Sequence, residues 1–180
     1  MRIMIRDVEF SSPLLTASGT YGYGHEVQDL VTVDEWGGII TKSVTLHPRE
    51  GNPPPRIAET PSGMLNSIGI PSKGLDYFLD DVVPDYSPFS PPLVASISAH
   101  SPDAFADLCR DVSVDDIDVI EANISCPNLE ADGRAFAMSP DLTETVMRRL
   151  RAVTDKPLWA KLTPNVGDVA EIARAAEAAG

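Results

Sequence analysis

Short apolar runs alternate with longer amphipathic stretches along most of this chain. The runs suit buried parallel strands, which carry apolar side chains on both faces, and they cover residues 14–17, 38–41, 93–97, 119–122 and 158–161. Helical signals separate several of them. The resulting βαβα order predicts right-handed parallel crossovers, as in an α/β barrel or a doubly wound sheet.

Three helix starts are marked by side chains that cap backbone N–H groups. Ser101 and Ser139 each precede a proline and an aspartate, and Asp168 stands three residues before Glu171. This chemistry is typical of a helix N-terminus. Two apolar helix faces follow from 3.6-residue spacing. They comprise Phe105, Leu108, Cys109 and Val112, which makes Cys109 a core residue, and then Leu142, Val146, Leu150 and Val153.

The segment 44–73 interrupts this alternation with six prolines and no helical pattern. A connection of this length inside a compact domain is usually a functional lid, although a purely connecting surface loop would have the same composition. Glycine and asparagine at 63, 66 and 69 alternate with apolar residues at 64, 65, 68 and 70. We therefore expect an ordered loop that folds back over the mouth of the sheet.

Composition limits the class of protein. A chain of 180 residues with 43% hydrophobic and 23% charged residues suffices for one domain with a real core. No apolar stretch could cross a bilayer, and the first residues lack the apolar core of a signal peptide. Two cysteines make no disulfide framework, so we expect a cytoplasmic protein. His25, His47 and His100 are scattered, and no metal site is expected.

Charge is the compositional outlier, because 27 acidic residues face 14 basic ones and the net charge is -13. Such a surface repels nucleic acid and anionic membranes, so neither is an expected partner. The acidic, lysine-poor surface resembles that of a protein working in concentrated salt. Only four lysines remain: Lys42, Lys73, Lys156 and Lys161. Lys42 and Lys161 both end predicted strands, which favours a role for each.

The hexapeptide Asn-Ile-Ser-Cys-Pro-Asn at 123–128 directly follows the predicted strand 119–122. The carboxyl end of a parallel strand is where α/β sheets place their chemistry. The thiol of Cys126 can handle a proton, and the amides of Asn123 and Asn128 can hold a flat polar ring. The alternative is that Cys126 is a small buried residue and the asparagines only form turns.

The hexapeptide belongs to a larger set of motifs. The others are Ala-Ser-Gly-Thr-Tyr-Gly at 17–22, Thr-Lys-Ser at 41–43, Arg-Glu-Gly-Asn-Pro at 49–53, Asn-Ser-Ile-Gly at 66–69 and Lys-Leu-Thr-Pro-Asn at 161–165. In this order and spacing, from about residue 8 to residue 180, the chain resembles the catalytic chain of a class 1 dihydroorotate dehydrogenase.

The resemblance implies a (β/α)8 TIM barrel, of which residues 1–180 would be the N-terminal part, about five strands, of a single FMN-binding domain. It also implies oxidation of (S)-dihydroorotate to orotate in de novo UMP synthesis. Cys126 would take the C5 proton while FMN accepts the C6 hydride on the opposite face of the ring. The rate should then climb with pH, since an ordinary thiol is mostly protonated near neutrality.

The resemblance also implies two sets of site residues. Substrate-binding positions are Lys42, Asn66, Ile68, Gly69, Ile70, Asn123 and Asn128. Cofactor-binding positions are Ala17, Ser18, Gly19, Lys42, Ser43, Ser96, Asn123 and Lys161, where the Lys161 ammonium would stabilise the anionic reduced flavin. Expected partners are the substrate, a second copy in a homodimer and, as a further option, an electron-transfer subunit.

The chain ends at Gly180, whereas a TIM barrel of about 250 residues needs three further strands, so we expect a fragment of a longer protein. Two other functions stay open. One is a dihydropyrimidine dehydrogenase-like flavoprotein, and the other is a noncatalytic half-barrel that binds no flavin. The electron acceptor is also open between fumarate, another soluble acceptor, and NAD reached through a partner subunit.

Overall fold

The computed structural model describes residues 2–24, 26–27, 30–126 and 135–180. In these ranges the strands are β1 Ile3–Ile5, β2 Val8–Phe10, β3 Ile39–Ile40, β4 Ile57–Thr60, β5 Gly63–Asn66, β6 Leu93–Ile97, β7 Val119–Asn123 and β8 Leu158–Lys161. The α-helices are α1 Ser18–Tyr21, α2 Leu75–Tyr77, α3 Val83–Tyr86, α4 Pro102–Val112, α5 Pro140–Arg151 and α6 Val169–Ala178. Short 3-10 turns cover Val33–Glu35 and Phe136–Met138, and a π-helical turn, Phe78–Val82, joins α2 to α3.

A four-stranded parallel sheet forms the centre of the fold, in the order β3-β6-β7-β8. Every residue of β6 and β7 is buried, as expected for strands covered on both faces. The crossover from β6 to β7 contains α4, and the crossover from β7 to β8 contains α5. The predicted βα alternation is therefore confirmed for this part of the chain.

The prediction of a strand at residues 14–17 is wrong in detail. Only Leu15 forms a parallel bridge, to Gly38. Beyond it, the Thr16 hydroxyl accepts a hydrogen bond from the Ile40 amide at 2.7 Å and donates to the Ile40 carbonyl at 3.0 Å. A side chain thus takes the place of the next backbone rung, and the segment runs beside β3 without continuing the ladder.

The two faces of the sheet bury different apolar clusters. On one face, the helices contribute the larger cluster, in which Phe105, Leu108 and Cys109 of α4 are completely buried. On the other face, Phe10 packs with Ile40, Val94 and Val119, and its ring stacks on Trp159 with centroids 5.6 Å apart. The β1–β2 hairpin therefore covers this second face near the amino ends of the strands and leaves their carboxyl ends for the site.

The predicted helix starts are confirmed. Ser101 accepts from the Ala104 amide at 3.2 Å, Ser139 from the Leu142 amide at 3.4 Å, and Asp168 from the Ala170 amide at 2.8 Å. The predicted face of α5 is partly wrong, since Leu142 in its first turn is 36% exposed. Thr143 takes the inward position instead, and its hydroxyl donates to the Phe136 carbonyl at 3.2 Å.

The proline-rich segment 44–73 is ordered, and we call it the lid. It projects the exposed β4–β5 hairpin and then returns toward the sheet. Backbone hydrogen bonds of 2.8 Å in both directions between Arg49 and Ser72 join its two ends. The helical stretch of residues 75–86 follows it, and the sequence patterns above did not single out that stretch.

Candidate active site

A cleft of about 620 Å³ opens at the carboxyl ends of the parallel strands. One wall comes from the strand ends and α1: Ser18, Gly19, Thr20, Lys42, Ser43, Asn123, Cys126 and Lys161. The other wall comes from the lid: Ile57, Met64, Asn66, Ser67, Ile68, Gly69, Ile70 and Pro71. The expected return of the lid over the strand ends is confirmed.

Two lysines border this cleft. Lys161 ends β8, and its ammonium donates to the Ser18 hydroxyl of α1 at 2.9 Å. Lys42 lies two residues beyond β3 and is half-buried. Burial disfavours its charged form and lowers its pKa, the nearby Glu26 carboxylate opposes that effect, and the Arg56 cation adds to it. The cleft therefore holds two cations in a protein of strongly negative net charge.

A buried chain of hydrogen bonds runs from the cleft into the sheet. The Asn123 amide nitrogen donates to the Ser43 hydroxyl at 3.0 Å, and the Ser43 and Ser96 hydroxyls are 3.0 Å apart. At its outer end, the Ser125 hydroxyl donates to the Asn123 amide oxygen at 2.7 Å. This series of hydrogen bonds exists because β3, β6 and β7 are neighbours, which brings residues far apart in sequence to one layer of the sheet.

The thiol of Cys126 sits on a turn directly after β7. The Ile124 amide donates to the Ala122 carbonyl at 2.9 Å, and the Ala137 amide donates to the Ile124 carbonyl at 3.0 Å. Because Ile124 is also almost fully buried, the turn is anchored two residues before the half-buried thiol. The turn thus presents Cys126 to the cleft, next to the end of the central strand.

The lid wall is held by polar contacts within the lid. The Arg49 guanidinium donates to the Gly69 carbonyl at 2.7 Å, and the Asn52 backbone N–H donates to the Ile68 carbonyl at 3.0 Å. The Asn52 side chain also donates to the Ser67 hydroxyl at 2.8 Å. These bonds fix the backbone of Ile68 and Gly69 where it faces the strand ends.

The structure brings most of the sequence-predicted site residues to this one cleft: Ser18, Gly19, Lys42, Ser43, Asn66, Ile68, Gly69, Ile70, Asn123, Cys126 and Lys161. Two predicted residues do not line it. Ala17 lies just before α1, and Ser96 lies one layer deeper, where it contacts Ser43. Asn128 and the preceding Pro127 lie outside the described residues.

Other residues at or near the site were not predicted to be site residues. Ser125 was part of the hexapeptide without a role, and Met64 and Pro71 line the cleft from the lid. Glu121 is only 7% exposed and lies beside Ser96 in the sheet. One of its carboxylate oxygens is buried without a hydrogen-bond partner among the described residues. The sequence signal was available, since Glu121 is a charged residue inside an apolar run.

Two further observations concern the described ranges as a whole. No helix in them has the length and apolar character needed to cross a membrane. In the same ranges, no three His, Cys, Asp or Glu side chains converge as metal ligands.

Comparison with protein families identifies the family of the chain. The family model described as dihydroorotate dehydrogenase matches residues 1–180. The chain belongs to the dihydroorotate dehydrogenase family. The resemblance drawn from the motifs is therefore confirmed.

Curated relatives in the family share substantial sequence identity with the chain. It is 44% identical over 181 residues to the catalytic subunit of dihydroorotate dehydrogenase B (NAD(+)) of Phocaeicola vulgatus, a match covering 100% of this chain and 60% of the relative. It is 42% identical over 176 residues to the protein of the same name from Porphyromonas gingivalis, covering 97% and 57%. The chain thus spans about 60% of the length of these relatives.

A solved structure supports the barrel fold. The structure of dihydroorotate dehydrogenase from Eimeria tenella in complex with ferulenol superposes with a TM-score of 0.75 at 20% identity. The match covers 99% of this chain and 57% of that chain. The parallel sheet described above is accordingly part of a (β/α)8 TIM barrel, as the motifs implied.

Proposed function

We propose that the protein oxidises dihydroorotate to orotate in de novo pyrimidine synthesis, with a flavin as hydride acceptor. The observation that carries the proposal is the convergence of Cys126, Asn123, Lys42 and Lys161 on one cleft at the strand ends. A proton acceptor, a ring-binding amide and two cations are the groups that oxidation of an anionic dihydropyrimidine requires.

The residues of the cleft fit the isoalloxazine ring of FMN. Lys161 and Ser18 form a donor pair at one side, and Asn123 and Ser43 form a second polar pair at the adjoining strand ends. Gly19 lines the same cleft and has nothing within 4 Å of where a Cβ would be, which leaves open space for a planar group. A flavin bound there would accept the hydride that leaves C6 of the substrate.

We assign the roles on the protein side as follows. Cys126, as thiolate, takes the proton from C5, and the electron pair of that C–H bond becomes part of the new ring double bond. The Lys42 ammonium balances the negative charge of the substrate. Asn66, Asn123 and Asn128 orient the ring, together with the lid backbone of Ile68, Gly69 and Ile70. The Lys161 ammonium stabilises negative charge on the flavin side of the cleft.

The names of the relatives support a proposal for the destination of the electrons. The proteins of Phocaeicola vulgatus and Porphyromonas gingivalis carry the name dihydroorotate dehydrogenase B (NAD(+)), catalytic subunit. A catalytic subunit implies a second subunit, so we propose that electrons leave this protein through an electron-transfer subunit to NAD+. We also propose that residues 1–180 form the N-terminal part of a single FMN-binding barrel domain that assembles as a homodimer.

The test is anaerobic turnover of the purified full-length protein with dihydroorotate and a dye as electron acceptor, with orotate measured as product. We expect visible flavin absorbance and orotate formation. Equal turnover of dihydrouracil, which lacks the carboxylate, would favour a dihydropyrimidine dehydrogenase-like activity instead. A protein that carries no flavin and forms no orotate would point to the noncatalytic alternative.

A further inference from the structure

We propose that Ser125 is a positioning residue, which holds the Asn123 amide against the substrate ring and ties that amide to the turn carrying Cys126. The inference rests on the proposed function and adds a residue to it. Its basis is the hydrogen bond of 2.7 Å from the Ser125 hydroxyl to the Asn123 amide oxygen.

The Asn123 amide is clamped at both ends. Ser125 occupies one lone pair of its oxygen, and one of its N–H groups donates to the Ser43 hydroxyl at 3.0 Å. A side-chain amide has two N–H donors and two lone pairs, so one donor and one acceptor site of Asn123 remain available for a ligand. The terminal torsion of asparagine is soft, and two opposed hydrogen bonds are what fix the plane of its amide.

The inner end of this clamp is buried in the sheet, and among the described residues Ser125 is the one partner at its outer end. Ser43 contacts Ser96 at 3.0 Å, and Ser96 is a completely buried residue of β6. Asn123 itself is only 8% exposed and is paired in register with Lys161 of β8. At the outer end, Ser125 supplies the hydroxyl that closes the clamp. Removal of that hydroxyl leaves Ser43 as the one partner of the amide among the described residues, so the amide can rotate.

The same bond connects two functional groups. Ser125 immediately precedes Cys126, and its backbone follows Ile124, which is anchored to Ala122 and Ala137. The Ser125 hydroxyl therefore links the residue that orients the ring to the turn that carries the base. Placement of the ring and placement of the proton acceptor are coupled through one side chain, and a misplacement of about 1 Å can cost about a hundredfold in rate.

The inference can be tested with Ser125→Ala in the flavin-loaded protein. A single neutral hydrogen bond corresponds to about 2- to 13-fold in binding, so we expect orotate affinity to fall by that factor. The rate of flavin reduction by dihydroorotate should fall further, by about 10- to 100-fold. Ser125→Thr keeps the hydroxyl and should retain most of the orotate affinity and most of the reduction rate. As a control, Ser87→Ala removes an exposed hydroxyl that donates to the Pro84 carbonyl at 2.8 Å outside the cleft, and it should change neither.

A double-mutant cycle distinguishes positioning from a general structural effect. If Ser125 acts through Asn123, Ser125→Ala should cause almost no further loss of orotate binding once Asn123→Ala is present. Additive losses would overturn the inference, and so would a Ser125→Ala protein with wild-type binding and reduction rates. If Ser125→Ala fails to fold, loss of binding in Ser125→Thr while the fold is kept would count against it. Failure of the proposed function is separate, because then the wild-type flavin would not be reduced by dihydroorotate at all.

Discussion

Substitution of Gly69 by alanine should weaken substrate binding far more than the same change at Gly63, although both glycines lie in the lid. Gly69 has a φ of +80°, and a Cβ placed there would stand 2.6 Å from the Asn52 backbone nitrogen and 2.7 Å from its side-chain Cγ. At Gly63 the nearest atom would be the Thr60 hydroxyl, 3.8 Å away. The two positions therefore form a matched pair.

The expected cost at Gly69 has two parts. An L side chain in the left-handed region costs about 1–2 kcal/mol, and overpacking against backbone adds about 1–3 kcal/mol. The backbone at Gly69 can relieve the clash by moving away from Asn52, which breaks the Asn52–Ile68 and Arg49–Gly69 hydrogen bonds that fix the cleft wall. The strain then appears as lost ligand binding, and about 2 kcal/mol corresponds to about 30-fold in affinity.

The assay is titration of the flavin-loaded protein with orotate, followed by the change in flavin absorbance, with thermal unfolding as the check on folding. We expect Gly69→Ala to bind orotate at least about 30-fold more weakly, and Gly63→Ala to stay within about twofold of wild type. Equal affinities for the two variants would refute the conclusion that the Gly69 backbone needs its present position.

The remaining predictions concern the three charged or reactive side chains of the cleft. Cys126→Ala should keep its flavin but slow flavin reduction by dihydroorotate by about 10²- to 10⁴-fold, and flavin reduction in Cys126→Ser should also be slow near neutrality because serine is a poorer base. Wild-type rates of flavin reduction in stopped-flow measurements would remove the thiol from the mechanism. Lys161→Ala loses a charged hydrogen bond worth about 1.5–3 kcal/mol, so the flavin reduction potential should fall by about 30–60 mV. A redox titration that shows no shift, or an equal shift in Lys161→Arg, would contradict a role for the charge of Lys161. Because burial lowers the pKa of Lys42, orotate binding should weaken as pH rises through that lowered pKa, while Lys42→Arg, which keeps its charge, should show a flatter profile; identical pH profiles would assign the titration to another group.

Much of the fold could be predicted from local patterns because those patterns reflect burial. The strand at 119–123 is buried on both faces, and Ser101, Ser139 and Asp168 satisfy helix amides through local hydrogen bonds. These features depend on neighbours within a few residues. The sequence is therefore sufficient to identify them.

Features that depend on distant contacts were not predictable in the same way. The strand expected at 14–17 fails because the Thr16 hydroxyl replaces a backbone rung to Ile40, and no local pattern encodes that exchange. The β4–β5 hairpin carries no burial alternation, since all its residues are exposed. The sequence therefore predicted the lid as a segment and missed its strands.

The candidate site was predicted by motif and completed by topology. The motifs identified Lys42, Asn123 and Lys161 as strand-end residues, and the structure brings them to one cleft. The contact between Ser43 and Asn123 requires the registers of β3, β6 and β7 to be set relative to one another, which no single segment specifies. Positioning contacts of this kind emerge only from the assembled sheet.

Rapid anaerobic mixing of the flavin-loaded protein with dihydroorotate tests the central claim most directly. The account predicts that the visible flavin band bleaches with dihydroorotate, that dihydrouracil bleaches it far more slowly, and that the dihydroorotate reaction is lost in Cys126→Ala. Absence of bleaching by dihydroorotate in a protein that retains its flavin would contradict the account, and bleaching by dihydrouracil at an equal rate would contradict the assigned substrate.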